Sequence, residues 1–370
     1  TRVVVGMSGG VDSSVAAALL QEQGYDVVGI MLRLWSEPDG DEDGVERVAE
    51  NRCCSLESVA DARRVAARLD IPFSVVNVEE PFRDTVVDYF YAEYAAGRTP
   101  NPCLRCNRQI RFTLLLERAL ALGASYLATG HYARVDDDPL TGQRRLRRAR
   151  DDSKDQSYVL HVLSQAQLRH ALFPLGDYTK TEVRALAAAR GLEVASKPES
   201  QEICFVADND YRGFMRRYAT ATGRAEPAPG PIVDGDGREL GRHTGLANYT
   251  IGQRKGLGVT SREALHVLRL DAARNTLVVG PAAALGRTRF TVTQTTFTRE
   301  PAPSAPFAAE IKIRYKAAPV HGTVTPLPYG RASVELAEAQ RAITPGQAAV
   351  FYDGPEHDIA LGGGLIDAVL

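Results

Sequence analysis

The feature that most constrains the fold is the start of the chain, where a short apolar run leads directly into a glycine- and serine-rich loop. Residues 2–6 predict a buried strand, and the loop GMSGGVDSS occupies 6–14. Helical periodicity runs from 13 to 23 and ends at Gly24. A buried strand that enters a helix in this way is typical of parallel sheets, since parallel strands need crossover connections.

The first half of the chain repeats this unit. Further strands are predicted at 27–34, 73–78 and 126–130, and further helices at 58–69, 81–96 and 108–121. Short apolar strands that alternate with helices indicate an α/β fold built on a doubly wound parallel sheet.

The pattern changes after about residue 197. One more helix is predicted at 208–218, followed by a Pro/Gly-rich stretch at 227–231 and then by short strands with Asp-Gly turns. A chain of 370 residues is too long for one ordinary core. We therefore predict three parts: an α/β domain at 1–207, a small central domain at 208–284 and an all-β domain at 285–370.

Phosphate binding is the chemistry that the first loop predicts. Gly9 and Gly10 let the backbone approach an anion, and the serine hydroxyls and the helix N-terminus supply donors. Asp12 is suited to holding Mg²⁺ against a phosphate. No lysine follows the second glycine, so this is not a Walker A loop. The alternative is a Ser/Gly turn that only precedes a helix.

Three of the five cysteines stand in a context that indicates reactivity. Cys103 and Cys106 form a Cys-x-x-Cys in a proline-stiffened turn before a predicted helix, where the helix N-terminus and Arg105 would favour the thiolate. Cys204 has apolar neighbours. A sulfur-relay enzyme needs one thiol to carry sulfur as a persulfide and a second to release it by disulfide exchange.

Other interpretations of these cysteines stay open. Half of a zinc site is one, although a second Cys pair is missing. Ligation of a [4Fe-4S] cluster by Cys103, Cys106 and Cys204 is another. Cys53 and Cys54 are interpreted as buried or incidental.

Composition and charge pattern indicate which compartment and which partners to expect. No apolar run is long enough to cross a bilayer, and residues 1–6 do not resemble a signal peptide, so we expect a cytoplasmic protein without membrane contact. An odd number of cysteines argues against a secreted disulfide framework. The run of arginines at 144–150 predicts either a solvated strand face or contact with phosphate.

One motif match is rejected. Residues 39–50 fit the EF-hand pattern, but a predicted strand and Pro38 precede them where an entering helix is required. We interpret the segment as an acidic surface loop.

Several motifs, in order, resemble the tRNA-specific 2-thiouridylase family over essentially the whole chain. They are GMSGGVDSSV at 6–15, GRTPNPCLRCN at 97–107, ATGHYAR at 128–134, KDQSY at 154–158, ICF at 203–205, TIGQRKGLG at 250–258, RY at 314–315 and TPGQAAVFY at 344–352. The resemblance implies an ATP-pyrophosphatase-like α/β domain, a small central domain and a C-terminal β-barrel.

The resemblance also implies a set of site residues. ATP would be contacted by Gly6, Met7, Ser8, Gly9, Gly10, Val11, Asp12, Ser13, Leu32 and Gly130. The target base would be met by Asn101, Pro102 and Cys103, and tRNA by His131, Lys154, Asp155, Gln156, Arg314, Tyr315 and Gln347. Cys106 would be the nucleophile and Cys204 the persulfide carrier.

The implied reaction is ATP-dependent. The wobble uridine (U34) of tRNA is adenylated at its C2 oxygen, and sulfur from a cysteine persulfide then gives 2-thiouridine, AMP and pyrophosphate. Expected partners are tRNAs for Lys, Glu and Gln and a cysteine desulfurase or sulfur-relay protein. Well-known members have an aspartate where this chain has Cys103. That departure leaves open whether Cys103 is a third thiol or a cluster ligand.

Two other functions are compatible with parts of this sequence pattern. An ATP-pyrophosphatase-type enzyme that uses ammonia would not need Cys106 or Cys204. A non-catalytic tRNA-binding or iron–sulfur scaffold would bind RNA without releasing pyrophosphate and would tolerate Asp12→Ala.

Overall fold

The structure, a computed structural model, describes residues 1–39, 47–48, 55–198, 203–206, 210–353 and 358–370, with backbone only at 38–39 and 47–48. The rejected EF-hand motif and the pair Cys53 and Cys54 fall largely or wholly outside the described residues.

The strands of the described residues are, in chain order, β1 (Arg2–Met7), β2 (Asp26–Arg33), β3 (Pro38–Asp39), β4 (Arg47–Val48), β5 (Phe73–Asn77), β6 (Tyr126–Thr129), β7 (Arg134–Asp137), β8 (Arg144–Arg147), β9 (Ala171–Leu172), β10 (Gly230–Val233), β11 (Glu239–His243), β12 (His266–Asp271), β13 (Thr276–Gly280), β14 (Gly286–Phe297), β15 (Phe307–Lys312), β16 (Val320–Leu327), β17 (Arg331–Arg341), β18 (Ala348–Asp353) and β19 (Ile359–Val369).

The α-helices are α1 (Val11–Glu22), α2 (Leu56–Arg68), α3 (Glu79–Phe82), α4 (Asp88–Ala95), α5 (Pro102–Arg105), α6 (Leu116–Ala121), α7 (Ser157–Leu160), α8 (Gln165–Leu168), α9 (Lys180–Ala189) and α10 (Tyr211–Thr222). Arg83–Val87 and Cys106–Leu115 are π-helical, and Glu193–Ser196, Leu246–Asn248 and Ala282–Leu285 are 3-10 turns.

The predicted doubly wound sheet is confirmed. Five parallel strands lie in the order β5-β2-β1-β6-β9, with β1 hydrogen-bonded to both β2 and β6. Val3 and Val5 pack into one apolar cluster with α1, while Val4 packs into another on the opposite face. Because both faces are covered, the central strand is apolar along its length. Strand order reverses between β1 and β6, the position where such sheets bind ligands.

One helix begins earlier than predicted. The expectation of a helix from residue 108 is wrong, because helical backbone starts at Pro102 and continues through 121. Proline fits the first helical position, since its missing N–H has no helical partner there. Cys103 and Cys106 therefore lie within the first turns of the helix rather than in a turn before it.

The C-terminal strands close into the barrel that the resemblance implies. The order β14-β17-β16-β15-β18-β19 is completed by pairing of β19 with β14. The hairpin β7–β8, which lies within the first part of the chain, extends this sheet by pairing with β19. The α/β domain and the barrel are thus joined by backbone hydrogen bonds.

The seam between these two domains is a continuous apolar core. Leu127 of the parallel sheet, Tyr158 of α7 and Val350 of the barrel belong to one buried cluster. The Tyr158 hydroxyl also donates to the Ala348 carbonyl at 2.8 Å. The barrel is therefore fixed on the sheet by burial and by a direct hydrogen bond.

The central part forms a separate four-stranded sheet in the order β11-β10-β13-β12. Its small core is built on Ile232, Leu257, Val267 and Leu277. No helix in the described part of the chain is long and apolar enough to span a bilayer.

Close packing at the seam predicts a steric cost at Gly363. A Cβ there would lie 2.5 Å from the Ala349 carbonyl oxygen and 2.7 Å from the His161 ring. Gly363→Ala should lower the free energy of unfolding by about 1–3 kcal/mol, as overpacking does. Circular dichroism during urea unfolding would measure it.

Gly235→Ala is the matched control, because a Cβ at this turn glycine meets nothing within 4 Å. It should change stability by less than about 0.5 kcal/mol. Equal midpoints for the two variants would contradict the proposed seam packing.

Candidate active site

The predicted phosphate loop lies at the carboxyl end of β1 and ends at α1. Gly10 precedes the helix and has no side chain to cap it, so the first N–H groups of α1 remain available to an anion. Ser13 Oγ accepts from the Ser8 backbone N–H at 3.1 Å, and Ser14 Oγ donates to the Gly10 carbonyl at 2.8 Å. The serines therefore shape the loop.

Gly130 brings the end of β6 against this loop. A Cβ on Gly130 would lie 2.7 Å from the Ser13 backbone nitrogen, so only glycine permits this approach. Gly9 has φ +70°, and a Cβ there would lie 2.2 Å from the Ser58 carbonyl oxygen. Leu32 lies near the carboxyl end of β2. The residues predicted to contact ATP thus lie at the carboxyl edge of the sheet around the point where strand order reverses, the place of the ligand crevice in such sheets.

Asp12 has two partners that sequence reasoning missed. Lys180 Nζ lies 2.7 and 2.8 Å from its two carboxylate oxygens, and the Tyr132 hydroxyl donates to it at 2.7 Å. Lys180 is buried. A carboxylate beside an anion site would repel phosphates, and the ammonium offsets that charge.

The position of Lys180 follows from local structure. It is the first residue of α9, which begins with a capping box formed by Thr179 and Glu182. Its backbone N–H donates to Asp151 Oδ2 at 3.0 Å. The capping box signals the helix start in sequence, but not the 168-residue separation between Lys180 and Asp12.

The segment at 154–156 supports the same site. Asp155 is 2% exposed and accepts from the backbone N–H groups of Ala149 and Ser157, at 3.0 and 3.1 Å. Gln156 Oε1 accepts from the Tyr132 N–H at 2.9 Å and so fixes the tyrosine that reaches Asp12. Lys154 is partly exposed.

The three cysteines differ in exposure. Cys103 is exposed, Cys106 is 9% exposed, and Cys204 is intermediate, all three as thiols. Cys106 belongs to an apolar cluster against which Cys204 packs, whose aromatic members include Phe82, Phe90 and Phe205. The structure therefore brings Cys106 and Cys204 to the same apolar cluster.

The barrel holds the loop that precedes Cys103. The Thr99 N–H donates to the Pro345 carbonyl at 2.9 Å, and Gln347 Nε2 donates to the Thr99 carbonyl at 2.9 Å. A Cβ on Gly97 would lie 3.3 Å from Leu270 of the central sheet. Asn101 caps the helix by accepting from the Cys103 N–H at 3.1 Å. All three domains thus contact this segment.

Arg105 connects the cysteine helix to the barrel. Its guanidinium lies 4.3 Å from the centre of the Tyr89 ring, and Nη2 donates to Gln294 Oε1 in β14 at 3.3 Å. Burial raises the pKa of Tyr89 to about 12, so the phenol stays protonated near neutral pH.

A hydrogen-bond chain joins the crevice to the cysteine helix. Thr129 Oγ1 lies 2.7 Å from His131 Nδ1, and Arg111 Nη1 lies 3.1 Å from both His131 Nε2 and Asn107 Oδ1. Because arginine can only donate, His131 must accept at Nε2 and carry its proton on Nδ1. His131 follows Gly130 and Asn107 follows Cys106, so the network spans both parts of the site.

The arginine run at 144–150 is largely ion-paired. Arg145 and Arg147 bond to Asp136, while Arg134 and Arg147 bond to Asp358 of the barrel. These pairs lie on the β7–β8 hairpin and support its docking. Arg314 is exposed, and the Tyr315 ring lies 6.1 Å from the Tyr158 ring at the seam.

The described residues include no group of three or more His, Cys, Asp or Glu side chains that could hold a metal ion. As placed, Cys103, Cys106 and Cys204 therefore do not supply a ligand set for an iron–sulfur cluster. Asp12 is the carboxylate of the phosphate loop, and Mg²⁺ commonly takes one carboxylate together with phosphate oxygens. The loop thus fits a magnesium–nucleotide complex.

His131 predicts a pH-dependent stability. Burial, reinforced by the Arg111 guanidinium, holds its pKa well below 6.5. The folded state therefore binds fewer protons than the unfolded state. The stability that neutral His131 contributes is fully present above pH 6.5 and is lost as the pH falls below that value. His131→Asn should reduce the slope of unfolding free energy between pH 6.5 and 5 by up to about 1.4 kcal/mol per pH unit. Urea midpoints across this range would measure it, and parallel curves for the two proteins would contradict it.

Comparison with known families covers nearly the whole chain. The profile described as tRNA methyl transferase HUP domain matches residues 1–208, the tRNA methyl transferase PRC-barrel domain matches 221–281, and the aminomethyltransferase beta-barrel domain matches 287–366. These descriptions mention methyl transfer, whereas full-length relatives carry a different name.

Those relatives are named tRNA-specific 2-thiouridylase MnmA. The protein from Roseiflexus castenholzii is 51% identical over 99% of both chains. The one from Chloroflexus aggregans is 51% identical over 99% of this chain and 98% of its own. Among solved structures, the U34-tRNA thiolase NcsA from Methanococcus maripaludis is 19% identical, covering 60% of this chain and 70% of its own, with a TM-score of 0.34. Full-length identity at this level shows that the chain belongs to the tRNA-specific 2-thiouridylase family and is a tRNA sulfurtransferase of that family.

Proposed function

We propose that this enzyme uses ATP to activate the C2 position of the wobble uridine of tRNA and replaces the C2 oxygen with sulfur from a cysteine persulfide. The observation that carries the proposal is the joining of a phosphate crevice to a two-thiol apolar region. Gly130 and the phosphate loop form the first, Cys106 and Cys204 lie in the second, and the chain through His131 and Arg111 connects them.

In the first step the uridine C2 oxygen attacks the α-phosphorus of ATP. The bond from the α-phosphorus to the bridging oxygen breaks, and pyrophosphate leaves. The N-terminal N–H groups of α1 face the phosphates, and Asp12 with phosphate oxygens would hold Mg²⁺, which neutralises the developing charge. Lys180, now paired with Asp12 of that loop, is proposed to contact the phosphates.

In the second step the terminal sulfur of a Cys204 persulfide attacks C2, and AMP leaves with the former C2 oxygen. Cys106 thiolate then attacks the Cys204 sulfur, which forms a Cys106–Cys204 disulfide and releases the 2-thiouridine. A dithiol reductant must reduce that disulfide before the next turnover. The apolar cluster around the two thiols would exclude water from the activated base.

Substrate recognition is proposed to follow the family pattern. Asn101, Pro102 and Cys103 would line the pocket for the turned-out base. Exposed Arg314 and partly exposed Lys154 are suited to phosphate contact. His131 and Asp155 are buried, so in this conformation they would support the neighbouring contact residues rather than touch tRNA themselves. Gln347 donates a hydrogen bond to the Thr99 carbonyl and would contact tRNA next to that loop.

The remaining assignments extend the same proposal. We propose tRNAs for Lys, Glu and Gln as substrates, a cysteine desulfurase or relay protein as sulfur donor, and the cytoplasm as the site of action. We propose domain boundaries at 207/208 and 284/285. The proposed reaction does not use an iron–sulfur cluster, because the described residues do not form a ligand set for one.

The thiol steps are tested by single-turnover reactions with tRNA, ATP and a persulfide donor. Cys106→Ser and Cys204→Ser should each lower thiolation by roughly 100-fold or more while retaining tRNA-dependent pyrophosphate release, since each blocks only a later step. Thiolated nucleoside would be measured by mass spectrometry and pyrophosphate by a coupled assay.

Cys103→Ser is the matched control, because it removes an exposed thiol from the same helix. It should retain thiolation to within about tenfold, the range of a positioning effect. Thiolation that survives removal of both Cys106 and Cys204 would contradict the proposed relay. Ammonia-dependent ATP cleavage that survives in the same double variant would favour the ammonia-using enzyme, and RNA binding without pyrophosphate release would favour a scaffold.

The contact proposed for Lys180 predicts a change in ATP use. Lys180→Met removes an ammonium that bonds to Asp12, and kcat/KM for ATP should fall about 10- to 100-fold, as expected for loss of a charge-assisted contact. Arg190→Met removes a cation at the other end of the same helix, where Arg190 pairs with Glu22. That control should leave ATP kinetics unchanged, and equal losses in both variants would contradict a local role.

A further inference from the structure

Tyr329 is the most exposed of the large hydrophobic residues in the described part of the barrel. It lies at the tip of the β16–β17 hairpin, where its side chain is 99% exposed and Leu327 beside it is 39% exposed. Since isolated exposed apolar residues are common, exposure alone does not assign a role.

The backbone at this tip is held in a conformation that tyrosine rarely adopts. Tyr329 has φ 60° and is followed by Gly330 at φ 65°. Asn, Asp and Gly are the usual residues there, because an ordinary side chain crowds the backbone in the left-handed region. A tyrosine at this position is therefore disfavoured by local folding energetics, and the ring has no buried contact to compensate.

A second strained residue lies next to the hairpin tip. Gln294 has φ 52° and stands where the β14–β19 register shifts between Thr293 and Thr296. Bulges of this kind redirect side chains and are frequent beside active sites. The Thr295 N–H donates to the Gly330 carbonyl at 2.9 Å, so the bulge and the hairpin tip are fixed to each other.

Gln294 links this pair of features to the cysteine helix. Gln294 Oε1 accepts from Arg105 Nη2 at 3.3 Å, and Arg105 is two residues after the exposed Cys103. Two hydrogen bonds therefore connect the tip of the hairpin to the cysteine helix. One joins Gly330 to Thr295, and the other joins Gln294 to Arg105. We call Arg105, Gln294 and Tyr329, which this connection links, the barrel rim.

We propose that the barrel rim binds an unpaired anticodon-loop nucleotide next to the target uridine, with the Tyr329 ring stacked on its base. The inference rests on the proposed tRNA substrate. Turning a uridine out of the loop removes the stacking partner of its neighbour, and an exposed aromatic ring can replace that partner. Arg105 and Gln294 would provide a cation and an amide to the adjacent backbone.

The test uses full-length enzyme and an anticodon stem-loop carrying 2-aminopurine on the 3′ side of the target uridine. Tyr329→Asn removes the ring but suits the left-handed backbone, so it should fold with an unchanged or higher melting temperature. Its dissociation constant for the RNA should rise roughly 5- to 100-fold, and the 2-aminopurine quenching on binding should be lost. The salt dependence should stay as in the wild type, because no phosphate contact is removed.

Tyr329→Phe keeps the ring and should bind within about twofold of the wild type. Leu140→Asn is the matched control, since Leu140 is 94% exposed on the turn of the β7–β8 hairpin and should not affect binding. Tyr329→Asn that binds like the wild type, or Leu140→Asn that binds equally weakly, would overturn the proposal. If wild-type enzyme from the same preparation thiolates tRNA, such a result contradicts the stacking proposal alone and leaves the proposed function standing.

Discussion

The structure depends on the contact between the barrel and the backbone around Thr99. This short segment precedes Cys103, and its N–H and carbonyl groups are hydrogen-bonded to Pro345 and Gln347 of the barrel. The contact has a fixed geometry because the barrel is packed on the parallel sheet through a shared apolar core. Without this contact the loop could move, and the position of the cysteine helix relative to the crevice would change. The barrel therefore contributes directly to the position of the candidate site residues.

Charge is distributed so that the phosphate crevice stays receptive to a nucleotide. Asp12 would disfavour a polyphosphate at the end of α1, but Lys180 and Tyr132 bind its carboxylate. Arginines that looked available for RNA in the sequence are instead paired with Asp136 and Asp358, where they join the hairpin to the barrel. An arginine run is thus weak evidence for nucleic-acid contact when acidic residues lie on the opposite strand.

The sequence was sufficient for features encoded by local pattern. The apolar run of β1, the glycines of the loop and the repeated strand–helix units predicted the sheet and the crevice, because each is determined over a few residues. Long-range pairing was not accessible in this way. Nothing local to Lys180 indicates Asp12, and nothing local to Arg147 indicates Asp358. Helical backbone at Pro102 was missed because proline reads as a turn residue, although it also suits the first helical position.

The two halves of the proposed reaction need opposite environments, and the candidate site provides both, linked by the helix that carries Cys106. Nucleotide activation requires donors and a balanced charge, found at the start of α1 and beside Lys180. Sulfur transfer to an activated base requires protection from water, which the aromatic cluster around Cys106 supplies. Asn107 and Arg111 lie between these regions on the helix that carries Cys106, and Arg111 donates to a neutral His131 next to Gly130. Because burial keeps that histidine uncharged, His131 accepts from the Arg111 guanidinium without adding a second positive charge, and the contact serves to fix distance. In the proposed mechanism the enzyme would therefore hold the activated base next to the sulfur donor while each keeps its own surroundings.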